Sequence, residues 1–219
     1  MIGDHLAPRR PDRAMRALLG GGRLAAALVA VAAVAVATVV VAAGMTGGGR
    51  PHPPTVAPAG FSWLTARPAP ASWPRISLPD GTATLAAPPS LVEIHGDPGT
   101  VSVGLPAASG DLVYLNATPR QGAETLPDWA EFRIDHLRDE NATTATIDAH
   151  AEHLTFLGGT GSCVLDDYVT RVGTHHYREI ACLVQGAHAA SVLIAATPTA
   201  TWDRYQPVLE QAVNAYTVR

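Results

Sequence analysis

The stretch "GSCVLDDYVTRVGTHHYREIACLV", residues 161–184, decides how the second half of this chain folds. It contains both cysteines of the protein, Cys163 and Cys182, on either side of a glycine-containing turn signal. Three readings compete: a zinc site, a redox pair and a structural disulfide. Zinc needs about four ligands converging at ~2.0–2.3 Å. In a hairpin, His175 and His176 stand six or more residues from the cysteines, or ~20 Å at ~3.3 Å per residue, so they cannot share a metal with them. A redox motif requires Cys-x-x-Cys, which the sequence lacks. A cross-strand disulfide fits without adjustment. If Cys163 faces Cys182, the centre of symmetry falls between Val172 and Gly173, a two-residue turn with glycine in it. Closing that loop is worth about 3 kcal/mol through the unfolded state.

The same register sets the faces of the hairpin. Leu165 then faces Ile180, Asp166 faces Glu179, Asp167 faces Arg178 and Tyr168 faces Tyr177. One side carries Cys163, Leu165, Ile180 and Cys182 and should turn toward a helix. Asp167 and Arg178 share that side near the turn, placed for an ion pair. The other side carries the two tyrosines with Asp166 directly opposite Glu179, a like-charge pair that needs water or a cation. The plain expectation is two carboxylates splayed into solvent. The alternative is a weak cation or basic-partner site formed by Asp166 and Glu179 with His175 nearby.

Moving outward, "HAASVLIAAT" (188–197) follows after a short Gly-containing turn and extends the hairpin to an antiparallel meander. Upstream, "TTATIDAHAEHLTF" (143–156) reads as a further strand. Trp129, Ala130, Phe132, Ile134 and Leu137 recur at helical spacing after Thr125, Pro127 and Asp128, which predicts a helix at about 127–139 with Thr125 as its cap. Earlier still, "TVSVGL" (100–105) and "DLVYLNAT" (111–118) are strand-like, and "ISLPDGTATLAAP" (76–88) is a Pro-Asp-Gly turn between two short strands. A closing helix at about 200–216 has Trp202, Tyr205, Val208, Leu209, Ala212, Val213 and Tyr216 on one face. The order of strands, helix, strands, helix predicts an α+β fold with helices packed on an antiparallel sheet, over residues 73–219.

Residues 24–43, "LAAALVAVAAVAVATVVVAA", carry no charge, and twenty helical residues span ~30 Å, the hydrocarbon thickness of a bilayer. A cleaved signal peptide is the competing reading, with Val41-Ala42-Ala43 as its cleavage site, although such apolar regions usually run ~7–15 residues. An uncleaved transmembrane signal anchor is preferred. Five arginines against two acids in residues 1–23 keep that tail in the cytoplasm and place the rest of the chain outside. There the thiols oxidise, in keeping with the disulfide. Residues 44–72, with six prolines and five glycines, read as a linker. Within it, Phe61, Trp63 and Leu64 are expected to touch either the membrane interface or the domain.

Several functions are excluded or disfavoured. Residues 73–219 carry eight arginines against 17 acids, a net of −9, which argues against nucleic acid as a partner. The chain has no lysine, so it has neither a Walker-A lysine nor a Schiff-base amine. Arginine in place of lysine, with abundant alanine and glycine, is the coding bias of a GC-rich bacterium. "GGTGSC" (158–163) opens a strand and is not a nucleophile elbow. His150 and His153, three apart in a strand, should lie on opposite faces. His136 on the first helix has no identifiable carboxylate partner. Asn116-Ala117-Thr118 and Asn141-Ala142-Thr143 match the N-glycosylation pattern and are expected to be silent.

Taken in order, "ISLPDGTATLAAP", "LPDWAEFRIDHL", the strand pair ending in "DDYVTRV" and "YREIACLV", and the closing "TATWDRYQPVLEQAVNAY" resemble the PsbP-like proteins, which include actinobacterial envelope lipoproteins. The resemblance covers about 73–219. It implies an α/β/α sandwich that serves as a non-catalytic binding or assembly module, with no catalytic residues or cofactor to carry over. The chain departs from the lipoprotein members in having an apolar span where they have a lipidated cysteine. The function expected is a membrane-anchored extracytoplasmic module binding a protein or envelope component. The alternatives are an extracytoplasmic hydrolase using a histidine and an acid, or a ligand sensor signalling through the single helix.

Overall fold

Alternating and apolar runs become strands, and the two stretches with helical spacing become helices. The computed structural model describes residues 59–106 and 112–219. After a 3-10 turn (Ala59–Phe61) come β1 (Arg75–Ser77), β2 (Ala83–Ala86), β3 (Val92–Glu93), β4 (Val101–Pro106) and β5 (Leu112–Pro119). Then follow α1 (Trp129–Glu140), β6 (Ala142–Phe156), β7 (Gly159–Thr170), β8 (His176–Gln185), β9 (Ala190–Pro198), α2 (Trp202–Asn214) and β10 (Thr217–Val218). The main sheet is antiparallel and seven-stranded, in the order β3-β4-β5-β9-β8-β7-β6. A small sheet pairs β1 and β10 on either side of β2. The short strands β3 and β10 escape any periodicity reading because two residues carry no period.

The β7–β8 register is the one that the cysteines require: Cys163 pairs with Cys182, Asp166 with Glu179, Asp167 with Arg178 and Tyr168 with Tyr177. The two cysteines are bonded. The connection differs from the two-residue turn expected. The last ladder bond runs from the Thr170 N–H to the His175 carbonyl, so four residues, 171–174, make the turn. Gly173 and Thr174 both take positive φ there, 79° and 54°. The Thr170 hydroxyl accepts from the His175 N–H and donates to the Val172 carbonyl, holding the wider loop.

Period-two alternation gives the sheet two buried faces. Cys163, Ile180, Cys182, Leu193 and Leu115 point to one core, shared with Trp202, Leu209, Ala212 and Val213 of α2. Val164, Tyr168, Tyr177, Ala181 and Ile194 point to the other, shared with Trp129, Ile134 and Leu137 of α1. The Trp129 indole N–H donates to the Ala181 carbonyl at 2.9 Å, which ties α1 to the sheet. The helix begins at Trp129 with Asp128 as its cap residue, later than expected, and the Thr125 hydroxyl donates to the Asp128 carboxylate.

The packed region also starts before residue 73. Phe61 is fully buried in the α2-side core, with Trp63 and Leu64 against it. The Asn214 side chain accepts from the Thr65 N–H at 2.6 Å, and the Asn214 carbonyl accepts from the Arg67 N–H at 2.9 Å. Of the two contacts expected for this aromatic cluster, the domain is the one made. Pro/Gly content masked it, because one buried phenylalanine, worth about 1.5–3 kcal/mol, outweighs the composition around it. Residues 1–23 and 24–43 lie outside the described residues. Among the described residues no helix is long and apolar enough to cross a membrane.

Candidate ligand groove beside helix α1

Helix α1 packs against β6, β7 and β8, so it covers one end of its sheet face. Beyond it the sheet is open over β5 and β9, and the uncovered strip forms a groove of about 700 Å³. Asn116 and Thr118 of β5 and Val192 and Ile194 of β9 make the floor. Residues 95–100 and 119–124, in the loops after β3 and β5, make one rim. The α1 side chains Phe132, Arg133, His136 and Glu140 make the other. A smaller, shallower extension of about 310 Å³ continues past Asn116, Arg133 and Ile194 toward Leu112 and Tyr114.

Phe132 is the residue that sequence periodicity misplaces. Its helical spacing assigns it to the core, yet it is 38% exposed. Its ring stacks with Trp129 on one side and His136 on the other, both at 6.0 Å between centroids, with interplanar angles of 23° and 10°. The result is a stack of three aromatic rings that walls the groove on the α1 side. The His136 imidazole lies 3.2 Å from Glu140, a carboxylate partner legible in the i, i+4 spacing, but both side chains stand in solvent.

Polar groups in the groove are mostly engaged. The Asn116 amide donates to the Ser102 hydroxyl at 2.7 Å, and the Thr100 hydroxyl donates to the Asp97 carbonyl at 2.7 Å. Glu124 is only 5% exposed. One of its carboxylate oxygens accepts from the Gln121 N–H at 3.1 Å, and the other has no partner.

Beneath the groove lies a buried ionic cluster. Asp166 and Glu179, expected in water, are both fully buried under α1. The physical reason is that this face has its own helix, and that helix brings a counter-charge: Arg133 Nε lies 2.7 Å from Glu179 Oε1. The other Glu179 oxygen and both Asp166 oxygens have no hydrogen-bond partner among the described residues. Burial, and then the neighbouring Glu179 charge, push the Asp166 carboxyl up to about 9. Burial works against the Arg133 cation, but the Glu179 carboxylate outweighs it and holds Arg133 protonated. Burial also raises the Tyr114 and Tyr168 phenols, whose hydroxyls meet at 3.1 Å. His175 does not join the pair. It sits at the hairpin turn, four residues along the strand from Glu179, or ~13 Å. The basic partner that reaches the acids is an arginine of the chain itself.

On the α2 face, Arg178 pairs with Asp148 and lies 3.4 Å from Asp167, with its guanidinium over the Trp202 ring at 5.4 Å. The ion pair read from the register is therefore present and partly covered. Ser162 is buried within β7. His150 and His153 are both exposed, and a bulge between Ala151 and Leu154, with His153 at φ 57°, breaks the alternation that would have put them on opposite faces. Among the described residues, no three or more His, Cys, Asp or Glu side chains converge as a metal site.

Comparison with known proteins identifies the fold. The solution structure of cyanobacterial PsbP (CyanoP) from Synechocystis sp. PCC 6803 superposes with a TM-score of 0.50 at 13% identity, covering 68% of this chain and 94% of that one. A protein of unknown function from Pseudomonas aeruginosa, PA94, described as a putative regulator, matches with a TM-score of 0.44 at 13% identity over 68% and 99% of the two chains. A Bacteroides thetaiotaomicron protein matches with a TM-score of 0.40 at 12% identity, over 68% of this chain and 49% of that one. No family model matches the sequence, and no curated protein does. The described region has the PsbP-like α+β fold, as the ordered sequence pieces led us to expect.

Proposed function

We propose that this chain is an extracytoplasmic binding or assembly module of a bacterial cell envelope, anchored by residues 24–43, and that the groove beside α1 is where it binds. The observation that carries the proposal is the exposed aromatic wall. A phenylalanine with helical spacing for the core instead faces an open strip of sheet between two loops, an arrangement suited to holding a partner. Further support comes from the engaged polar groups. Asn116, Thr100 and Arg133 are each bonded within the protein, which suits recognition better than proton transfer. The disulfide supports an oxidising location, and the apolar run at 24–43 supports the anchor.

A hydrolase remains the second reading because of His136 and Glu140, 3.2 Å apart at the groove rim. Both are solvent-exposed, so a substrate held there would stay open to bulk water. Photo-crosslinking in intact cells separates place from chance. A photoreactive side chain at position 132 should yield a discrete adduct, whereas one at the exposed turn position 172 should not. Equal labelling from both positions, or none from 132, removes the groove from the proposal.

A further inference from the structure

We infer that the groove takes a cationic group, a guanidinium or an ammonium, laid against the Phe132–His136 wall and hydrogen-bonded by Glu124. This rests on the groove being the binding place. Three independent features point to that ligand chemistry.

The first is uncommitted charge. Asp97, Glu124 and Glu140 line the groove, against the guanidinium of Arg133 and the imidazoles of His95 and His136. That guanidinium is held at 2.7 Å by the buried Glu179. Glu140 has His136 beside it, which leaves Asp97 and Glu124 as acids without an ion-pair partner among the described residues. A phosphate or carboxylate entering here would meet acids and an arginine already engaged. A cation would meet complementary charge.

The second feature is Glu124 itself. It is nineteen-twentieths buried and lines the groove, and one carboxylate oxygen lacks any donor. Buried carboxylate oxygens are costly to leave unpaired. An N–H from a ligand supplies the missing donor, and a charged N–H supplies it most strongly.

The third is the wall. The Phe132 and His136 rings stack 10° from parallel, and Phe132 keeps 38% of its surface exposed beside the groove. Guanidinium and ammonium groups are drawn to aromatic faces within ~6 Å, and a planar guanidinium also stacks. A sugar ring could stack on the same wall, but it would leave the acids of the groove uncompensated.

The cationic group can belong to an arginine of a polypeptide or to a free amine. Calorimetric titration of the full-length chain separates these, with an acetylated and amidated tetra-arginine peptide in one arm and agmatine in the other. A tetra-glutamate peptide and a chitin oligosaccharide serve as comparison probes. We expect saturable binding of at least one cationic probe. We expect Glu124→Gln and Phe132→Ala each to weaken it tenfold or more, and Asp203→Asn, on α2 at the opposite face, to leave it within twofold. Peptide binding without agmatine binding identifies a polypeptide partner. Should Glu124→Gln fail to fold, Phe132→Ala decides alone, since its ring is already partly in solvent. Equal weakening by Asp203→Asn means diffuse attraction to an acidic protein and overturns the inference. So does the absence of saturable binding by either cation. If tetra-glutamate or the oligosaccharide binds instead and Phe132→Ala abolishes it, the ligand class is wrong while the groove stands.

Discussion

Asp166 shows how much one residue's setting alters its chemistry. Opposed to Glu179 on a covered face, its carboxyl is pushed from 3.8 to about 9, so it is neutral at physiological pH. The charges that act on it are Glu179 from β8 and Arg133 from α1 on its own face, and Asp167 and Asp148 through the sheet. At this group the folded state therefore holds more proton than the unfolded chain between about pH 4 and 9. The contribution to stability is complete below about pH 4 and is lost as pH rises toward 9, at ~1.4 kcal/mol per pH unit from this group. Asp166→Asn, which mimics the neutral acid, should flatten that slope and stabilise the protein at pH 8–9. Urea midpoints between pH 5 and 9 measure it, and an unchanged slope would show that Asp166 is already ionised. Removing the counter-charge is a separate matter. Arg133→Met leaves Glu179 buried and unpaired, at a cost of about 3–5 kcal/mol. Adding Glu179→Gln should restore most of that stability, and chemical unfolding of the single and double variants tests it.

At the scale of elements, the β7–β8 hairpin carries two faces and serves both cores. The disulfide lies on the α2 face and locks the register on which the acid pair of the α1 face depends. Replacing both cysteines with alanine should cost about 3 kcal/mol, mostly by freeing the unfolded chain. Non-reducing peptide mapping should recover residues 163 and 182 in one linked pair; two alkylated thiols in protein from its native compartment would contradict it. Helix α1 also has two roles. Trp129, Ile134 and Leu137 seat it on the sheet, and Phe132 and His136 remain at the groove. Phe132→Ala should therefore change thermal stability little, whereas Leu137→Ala should cost about 2–5 kcal/mol, a contrast that one pair of melting curves resolves.

For the whole molecule, the boundary of the folded unit is the testable matter. Phe61 belongs to the core, and residues 65 and 67 are bonded to Asn214 at the end of α2. A chain beginning at residue 73 should be less stable than one beginning at 59 by several kcal/mol, with Phe61→Ala alone costing about 3–5 kcal/mol. Denaturant unfolding of the two truncations compares them. The proposed topology has its own check: a reporter fused after Arg219 should be active only outside the cytoplasm. Much of this molecule was legible in the residues. Periodicity separates strands from helices, and the cysteine spacing sets one register, because a β-strand has a period of two and one fixed pair fixes all others along the ladder. The faces of the hairpin and the Asp167–Arg178 pair follow from that, while the PsbP-like fold was legible as a resemblance in the order of the sequence pieces. The acid pair was legible as a pair, but its burial was not, because a strand's sequence does not show whether one helix or two cover the sheet. The groove has the same origin. Phe132, Glu124 and Asn116 come from a helix, a loop and a strand, and only the position of α1 on the sheet, short of β5, makes them neighbours.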